Sequence, residues 1–305
     1  MDHADQATAY FRHWPFFWCG EVLIRGCDMS DSTVADLIER RFGLAPAVPA
    51  SLNDQQGLKQ IIGRGSCRRF RSTPVAPEVL QTLAAAALSA PSKSDLQQCD
   101  IVLMTDPERI ARLKALLTRQ AWVQNAPALV IFLANNRRQR QLQDWRGQPF
   151  VGDNLDVFFN ASVDAAIGLA FFITAAETAG LGCCPISAIR NFLPQVRDVL
   201  DLPDHVFPVA GLGVGYPADP SPTISARLPL RSTVHHDRFV DVTREEIAAY
   251  DSRRAGHSVL GQQPDAGSVA ADPKPSWSES KARMADKPHR ADFGRFIRSI
   301  GFNLD

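Results

Sequence analysis

VFFNASVDAAIGLAFFITAAETAGLG, residues 157–182, is the stretch of this sequence that decides the fold. Asp164 and Glu177 are the only charged residues in it, no proline interrupts it, and most of its residues tolerate a helix well. Apolar side chains occur all round the predicted helix rather than along one stripe, so we expect it to be buried on most faces. The stretch therefore predicts a long core helix over Val157–Leu181 that is shared with a second subunit.

A helix of this length could also cross a bilayer, because each residue adds about 1.5 Å of rise. Asn160, Asp164 and Glu177 argue against a membrane location, since each of these side chains would be costly in lipid. The sequence contains no second apolar stretch of comparable length. We therefore interpret the helix as the centre of a soluble core.

The residues that follow the helix predict the position of the chemistry. Gly180-Leu181-Gly182 is a plausible helix stop, because glycine accepts the backbone conformation that ends helices. CCPI, residues 183–186, then predicts a short strand, and Ser187-Ala188 predicts a tight connection of small residues. Small residues let the backbone approach a flat ligand closely, so we place the functional site at this connection.

Composition limits the classes of protein that this chain can belong to. Its 305 residues suffice for one large domain or two small ones. Lys and Arg together number 33, as do Asp and Glu, so the formal net charge of zero indicates neither nucleic acid nor an anionic membrane as partner. None of the six cysteines forms a C-x-x-C, which predicts reduced thiols in the cytoplasm and no metal site.

The N-terminal region divides into two parts. Residues 1–28 include the aromatic stretch HWPFFWCGEVLI without a basic start, so they do not resemble a secretory signal. We expect residues 1–28 to be either an extra leader or a genuine extension that packs on the surface. Residues 29–62 predict N-terminal helices and a linker at 44–54, with Ser30, Asp31 or Ser32 as the cap of the first helix.

GRGSCRRFRSTPV, residues 63–75, crowds four arginines around Ser66 in a segment too short for a helix. Guanidinium forks match the oxygens of a phosphate, so this segment predicts an anion site. The alternative is a solvated basic face. Another glycine-rich segment, GLGVG at 211–215, is not a dinucleotide-binding motif, because Tyr216-Pro217 follow it and no helix opens there. Glycines inside a strand more often indicate close approach of another segment.

The remaining chain alternates predicted helices and strands. Residues 256–285 are rich in glycine, serine, proline and alanine, and we expect them to be mobile with Trp277 as a single anchor. The last fifteen residues are amphipathic. The other elements are helices at 78–90, 107–120, 137–148, 193–202 and 239–254, and strands at 99–106, 127–135 and 205–217.

Together these pieces resemble the nitroreductase family of flavin enzymes, in particular its NADPH-flavin oxidoreductase and oxygen-insensitive nitroreductase branch. The resemblance covers residues 63–305 and rests on the order of GRGSCRRF, SAPSKSDLQ, GLGCCPISAIRN, PVAGLGVGYPAD and ARLPL. It implies an α+β fold, in which helices flank an antiparallel sheet, and an intertwined homodimer with FMN at the interface.

The resemblance also implies which residues bind FMN. In the family an R-S-x-R segment and a late arginine hold the phosphate and ribityl chain of FMN. A serine-rich turn of the partner subunit touches the flavin ring, and a glutamine reaches the ring edge. The turn after the central helix faces N5 of the ring. The positions that match are, in that order, Arg64, Ser66 and Arg68 with Arg227; Ser92, Lys93, Ser94 and Gln97; Gln120; and Pro185, Ile186, Ser187 and Ala188.

The implied reaction is a two-electron, ping-pong hydride transfer from NADPH or NADH through FMN to a nitroaromatic, a quinone or free flavin. Because the cofactor carries the chemistry, we assign no catalytic side chain. The alternatives are a flavin-dependent oxidase or dehalogenase on the same fold, or a non-catalytic FMN-binding module. Gly65 and Ser225 stand where the family has cations, and Arg69 is a candidate to compensate.

The choice between NADPH and NADH stays open at the level of sequence. Discrimination needs cations for the extra ribose phosphate. Before Trp277 the chain supplies His257 and Lys274, with Arg253 and Arg254 just upstream as possible substitutes. We therefore expect a weak preference for NADPH.

Overall fold

The structure is a computed structural model that describes residues 32–219, 223–256, 275–285 and 288–305. The leader hypothesised for residues 1–28 lies outside these ranges, as do the candidate donor-phosphate cations His257 and Lys274.

A four-stranded antiparallel sheet forms the centre of the fold. Its strands are β1 (Cys99–Leu103), β2 (Ala128–Asn135), β3 (Gly182–Ile186) and β4 (Val206–Gly215), and they lie in the order β1-β2-β4-β3. Every residue of β2 is buried, as expected for an apolar strand that is covered on both faces. The predicted α+β class with an antiparallel sheet is confirmed.

The glycines of β4 allow close packing, as their position in a strand predicted. A Cβ atom at Gly213 would lie 2.7 Å from Trp122, and one at Gly215 would lie 2.7 Å from Pro127. Any larger residue at either position would therefore displace the segment that packs on it.

Helices surround this sheet on both faces. They are α1 (Val34–Phe42), α2 (Ala50–Asn53), α3 (Gln56–Gly63), α4 (Pro77–Leu88), α5 (Pro107–Leu116), α6 (Ala121–Gln124), α7 (Arg137–Trp145), α8 (Leu155–Thr178), α9 (Leu193–Leu200), α10 (Arg244–Gly256), α11 (Trp277–Ala285) and α12 (Phe293–Ser299). Short 3-10 turns occur at Lys93–Asp95, Ser187–Asn191 and Leu230–Ser232.

The central helix is α8. It begins at Leu155, two residues before the predicted start, and the side chain of Asn154 caps it by accepting a hydrogen bond from the Asp156 amide. It ends as expected near Gly180, whose φ of 78° is left-handed. Phe172 packs edge-on against Phe132 of β2, with ring centroids 5.5 Å apart. By length and composition α8 would suffice to cross a membrane, but its packing along the sheet is that of a core helix.

The expectation that α8 is buried on most faces is wrong for a single chain. One face is covered by the sheet and by α4, and its buried residues are Ala161, Asp164, Ala165, Gly168, Phe172 and Ala176. The opposite face is exposed, because the sheet of one subunit covers only one face of α8. This exposed stripe includes Leu155, Phe159, Val163, Ala166, Ala170, Phe171 and Thr174.

Three details of the helices differ from the sequence-based expectations. Thr33 caps α1 in a capping box with Asp36, and Arg41 lies on the buried face. The linker at 44–54 contains the short helix α2. The segment expected to be mobile contains α11, because the Asp251 carboxylate accepts hydrogen bonds from the Ser278 amide and hydroxyl at the start of that helix. Trp277 is the anchor predicted: it packs edge-on against Tyr250 with centroids 5.0 Å apart.

Asp164 connects the buried face of α8 to the serine-rich loop at 91–98. Its carboxylate accepts hydrogen bonds from the amide of Lys93 at 3.0 Å and the amide of Gln98 at 3.2 Å. Between them Ser94, Asp95 and Gln97 have positive φ values of 49°, 57° and 52°. Non-glycine residues adopt this conformation at a cost, so the loop persists because its ends are held.

We expect Asp164→Ala to lower the free energy of unfolding by about 3 kcal/mol, because a hydrogen bond to a charged group contributes about 1.5–3 kcal/mol and two donors lose their acceptor. Urea denaturation measures this change. Asp198→Ala, at an exposed carboxylate of α9, serves as the matched control and should change stability by less than about 0.5 kcal/mol. Equal stability of the two variants would show that the loop does not depend on Asp164.

Candidate functional site

The arginine-rich segment after α3 lies alongside the edge strand β3. The Cys67 amide donates to the Cys183 carbonyl at 2.9 Å, and Phe70 forms an isolated bridge with Pro217. A Cβ atom at Gly182 would lie 2.5 Å from the Cys67 Cβ, so glycine is what permits this approach. The segment is extended, as its shortness predicted, and it places Arg64, Ser66 and Arg68 beside the strand that leads to Pro185–Ala188.

Arg64 is held by the last turn of α8. Its guanidinium lies 2.9–3.2 Å from the carboxylate oxygens of Glu177 through Nε and Nη2. The two side chains are 28% and 17% exposed, so the pair is largely shielded from water. Burial raises the pKa of Glu177, and the nearby Arg64 and Arg41 guanidinium groups act in the opposite direction. The ion pair fixes the orientation of Arg64 before any ligand binds.

Arg41 of α1 lies next to this pair. Its Nε donates to the Ile62 carbonyl at 2.7 Å, and its two terminal nitrogens donate to the carbonyls of Arg64 and Ser225. Burial lowers the pKa of Arg41 to about 10, and the like charges of Arg227 and Arg64 add to this shift. Three guanidinium groups therefore occupy one region, with Glu177 as the carboxylate that acts on Arg41.

Arg227 presents an exposed side chain from a backbone that is held on both sides. Its amide donates to the Arg41 carbonyl at 2.7 Å, and its carbonyl accepts from Arg253 Nη2. Arg254 and the Tyr250 hydroxyl both donate to the neighbouring Ala226 carbonyl. The suggested use of Arg253 and Arg254 as donor-phosphate cations does not fit this arrangement, because both side chains bind backbone carbonyls here.

Two thiols lie among these arginines. Ser66, Arg68 and Arg64 all act on the Cys184 thiol, which is buried beside Cys67. Burial raises the pKa of Cys67 to about 11 and also raises the pKa of Cys184. Both thiols are therefore neutral at neutral pH, and they do not cancel the positive charge of the arginines.

Arg69 does not join this group of cations. Its guanidinium lies 2.9 Å from the Asp219 carboxylate, so it is paired rather than available to compensate for Gly65 and Ser225. The pairing holds the two exposed segments on either side of the Phe70 bridge together.

The turn after β3 is braced from the C-terminal region. Arg290 donates to the Ser187 carbonyl at 3.1 Å and to the Asn191 side chain at 2.8 Å. Pro185 has no backbone N–H and Ile186 pairs with Gly211 of β4, so the turn itself offers the amides of Ser187 and Ala188. Arg290 therefore holds the turn through a carbonyl and a side chain, and not through the backbone amides of the turn.

Gln120 directly precedes α6, whose Trp122 and Val123 pack in the same apolar cluster as Ile186 and Ala188. Its Oε1 atom is buried and has no hydrogen-bond partner among the described residues. A buried polar atom without a partner is costly, so Gln120 is poised to accept a hydrogen bond from a bound group.

The serine-rich loop does not join the other predicted site residues within one chain. Asp164, which holds Ser92, Lys93, Ser94 and Gln97 in place, is thirteen residues from Glu177 on α8. At ~1.5 Å per residue this separation is about 20 Å. Lys93, Ser94 and Gln97 are exposed, and within one chain they lie apart from the arginines.

Several residues that organise the site were not identified from sequence. Asp164 and Glu177 were noted as the two charges of an apolar helix, a signal that buried charges with specific partners were present. Arg41 and Tyr250 carried no such signal, because their partners are backbone carbonyls that are distant in sequence.

Three comparisons place the chain among known proteins. The chain is 29% identical over 252 residues to FMN reductase [NAD(P)H] of Bacillus subtilis (strain 168), covering 81% of this chain and 98% of that protein. It is 33% identical to the oxygen-insensitive NADPH nitroreductase of Salmonella typhimurium, over 80% of this chain and 97% of that one. The solved NADPH:FMN oxidoreductase from Vibrio harveyi, complexed with NAD+, superposes with a TM-score of 0.70 at 25% identity, over 80% and 97% of the two chains.

The profile of the Nitroreductase family matches residues 61–216, and that of its C-terminal domain matches residues 225–305. These two matches span nearly all of the sheet, the central helix, the arginine-rich segment and Arg227. On this basis the chain belongs to the Nitroreductase family.

Proposed function

We propose that the chain is an FMN-dependent NAD(P)H oxidoreductase that reduces nitroaromatics, quinones or free flavin. The observation that carries this proposal is the group of arginines at the end of α8. Arg41, Arg64, Arg68 and Arg227 gather there with Glu177, so positive charge is in excess beside an exposed turn of small residues.

These arginines fit a phosphate monoester. Such a group carries a charge between −1.5 and −2 at about neutral pH, and guanidinium forks bind its oxygens with directed hydrogen bonds. Arg68 and Arg227 have exposed side chains on segments whose backbones are fixed, so they can contact a phosphate with little reorganisation. Arg64 is oriented by Glu177 and has further N–H donors to offer.

The turn and Gln120 fit the ring of a flavin. The amides of Ser187 and Ala188 lie at the start of the turn after β3, and the Gln120 Oε1 atom would accept a hydrogen bond from a ring N–H. Bound FMN would supply the chemistry, by accepting a hydride from a nicotinamide and passing two electrons to the acceptor. The role of the chain is to bind the phosphate, orient the ring and present one face of it.

We also propose that the enzyme is a cytoplasmic homodimer. The exposed apolar stripe of α8 is too extensive to face water in a stable monomer. Pairing this stripe with that of a second subunit would bring the serine-rich loop of one chain toward the site of the other. The free cysteines among the described residues suit a reducing compartment.

The first test is a visible spectrum of the purified protein followed by anaerobic reduction with NADH and NADPH separately. We expect a flavin spectrum, bleaching by either donor, and reoxidation by nitrofurazone or a quinone. Because Arg253 and Arg254 are engaged with backbone carbonyls, the kcat/KM ratio of NADPH over NADH should stay below about one hundred. A colourless protein that takes up no FMN would refute the proposal.

Arg227→Ala should weaken FMN binding by about 10- to 150-fold, because one charge-assisted phosphate contact contributes about 1.5–3 kcal/mol. A fluorescence titration of the flavin-free protein measures the dissociation constant. Arg244→Ala, at an exposed arginine of α10, is the matched control and should bind FMN like the parent. Unchanged affinity of the Arg227 variant would remove this residue from the site.

Ala170→Glu places a charge within the exposed stripe and should dissociate the dimer. An unpaired charge at a buried interface costs on the order of 3 kcal/mol or more, which weakens association at least about 100-fold. Analytical ultracentrifugation reports the subunit state, and Ala111→Glu on the exposed side of α5 is the control. A parent protein that is monomeric and fully loaded with flavin would contradict the shared site.

A further inference from the structure

Helix α1 lies outside the part of the chain that defines the family. The family profile begins at residue 61, whereas α1 spans Val34–Phe42. This helix nevertheless reaches the predicted phosphate site, because Arg41 in its last turn is 7% exposed and lies beside Arg64 and Arg227.

The guanidinium of Arg41 links two segments that are far apart in the sequence. On one side it donates to the carbonyl of Ile62, at the end of α3, and to that of Arg64 in the arginine-rich segment. On the other side it reaches the Ser225 carbonyl at 3.4 Å, two residues before Arg227. One planar side chain thus fixes the spacing between the backbones that carry Arg64 and Arg227.

The backbone of α1 reinforces this link. The Arg41 carbonyl accepts the Arg227 amide at 2.7 Å and also lies 3.5 Å from Arg253 Nη1. Gly43 ends the helix with φ of 88°, and a Cβ atom at this residue would lie 2.8 Å from the Arg253 side chain. The end of α1 therefore fits closely between the two predicted phosphate-binding segments.

Burying a third guanidinium here is not an economical way to stabilise a fold. The group loses water, and among the described residues two like charges, Arg227 and Arg64, and one carboxylate, Glu177, act on it. An apolar side chain would avoid both costs. The position is understandable if the added charge and the fixed geometry serve a ligand with two negative charges.

We propose that Arg41 is a positioning residue for the FMN phosphate: from an N-terminal helix outside the family core, it holds Arg64 and Arg227 at the separation that one phosphate group needs. This inference rests on the proposed FMN-dependent function. Arg41 acts through backbone carbonyls, so its contribution depends on a ligand that carries a phosphate. Flavins without a phosphate should bind independently of it.

The test compares FMN with riboflavin, which has the same ring and no phosphate. In Arg41→Met the dissociation constant for FMN should rise about 10- to 100-fold, the range expected when one or two charge-assisted phosphate contacts are misplaced. The dissociation constant for riboflavin should change by less than about threefold, since the ring contacts remain. Fluorescence titration of both flavins into flavin-free protein gives the ratio directly.

Two variants control this comparison. Arg40→Met changes an exposed arginine on the same helix and should leave both dissociation constants unchanged. Arg41→Lys keeps the charge and can reach some of the same carbonyls, so it should restore part of the preference for FMN. If Arg41→Met does not fold, the ratio of the FMN and riboflavin dissociation constants is compared between Arg41→Lys and Arg40→Met instead.

The outcomes separate this inference from the proposed function. A parent protein that binds neither flavin would refute the proposed function itself. A parent that prefers FMN, with an Arg41→Met variant that retains this preference, would overturn the role of Arg41 alone. Equal weakening of FMN and riboflavin binding would also overturn it, because that result indicates a structural effect and no positioning of phosphate ligands.

Discussion

The organisation of this protein depends on how two carboxylates on an apolar helix are satisfied, one of them buried and the other largely shielded from water. A charged group removed from water must find a partner, and α8 offers none of its own. Asp164 is satisfied by amides of the serine-rich loop, and Glu177 by the guanidinium of Arg64. The helix therefore fixes two separate segments, one near its middle through Asp164 and one at its last turn through Glu177. Removing either partner would leave a charge shielded from water without compensation, which is costly. Both segments are therefore held in fixed positions relative to α8.

The arginine site is built from layers with different tasks. Glu177 orients Arg64, while Arg41, Arg253 and Arg254 hold the backbones from which Arg64 and Arg227 extend. The exposed members then remain available for a ligand. Such a division explains why so many cations gather with few carboxylates, because several of them act on carbonyl dipoles instead. The site also keeps its positive charge, because burial keeps the neighbouring thiols of Cys67 and Cys184 neutral.

The positions of the serine-rich loop and of the arginines along α8 relate the site to the oligomeric state. Within one chain the serine-rich loop is about 20 Å from the arginines along the helix, at ~1.5 Å per residue. The exposed stripe of α8 lies on the side away from the sheet, where apolar residues such as Phe159 are 60% exposed. A dimer through this stripe would cover the apolar surface and bring the two halves of the site together. In this view the helix is both the core of one subunit and the interface of two.

Sequence by itself determined the long apolar helix, its stop at glycine, the strands of the sheet and the position of the arginine-rich segment, because each of these is a local pattern of hydrophobicity, glycine or charge. The match of motifs in order was sufficient for the family. It could not show that α11 is a helix, since Asp251 caps it from a distant part of the chain. Nor could it assign Arg41, Arg253 and Arg254, whose partners are backbone carbonyls brought near only by folding. Which face of α8 is left uncovered was likewise decided by the tertiary structure. A helix that is apolar all round has no sequence pattern that indicates which of its faces packs against the sheet.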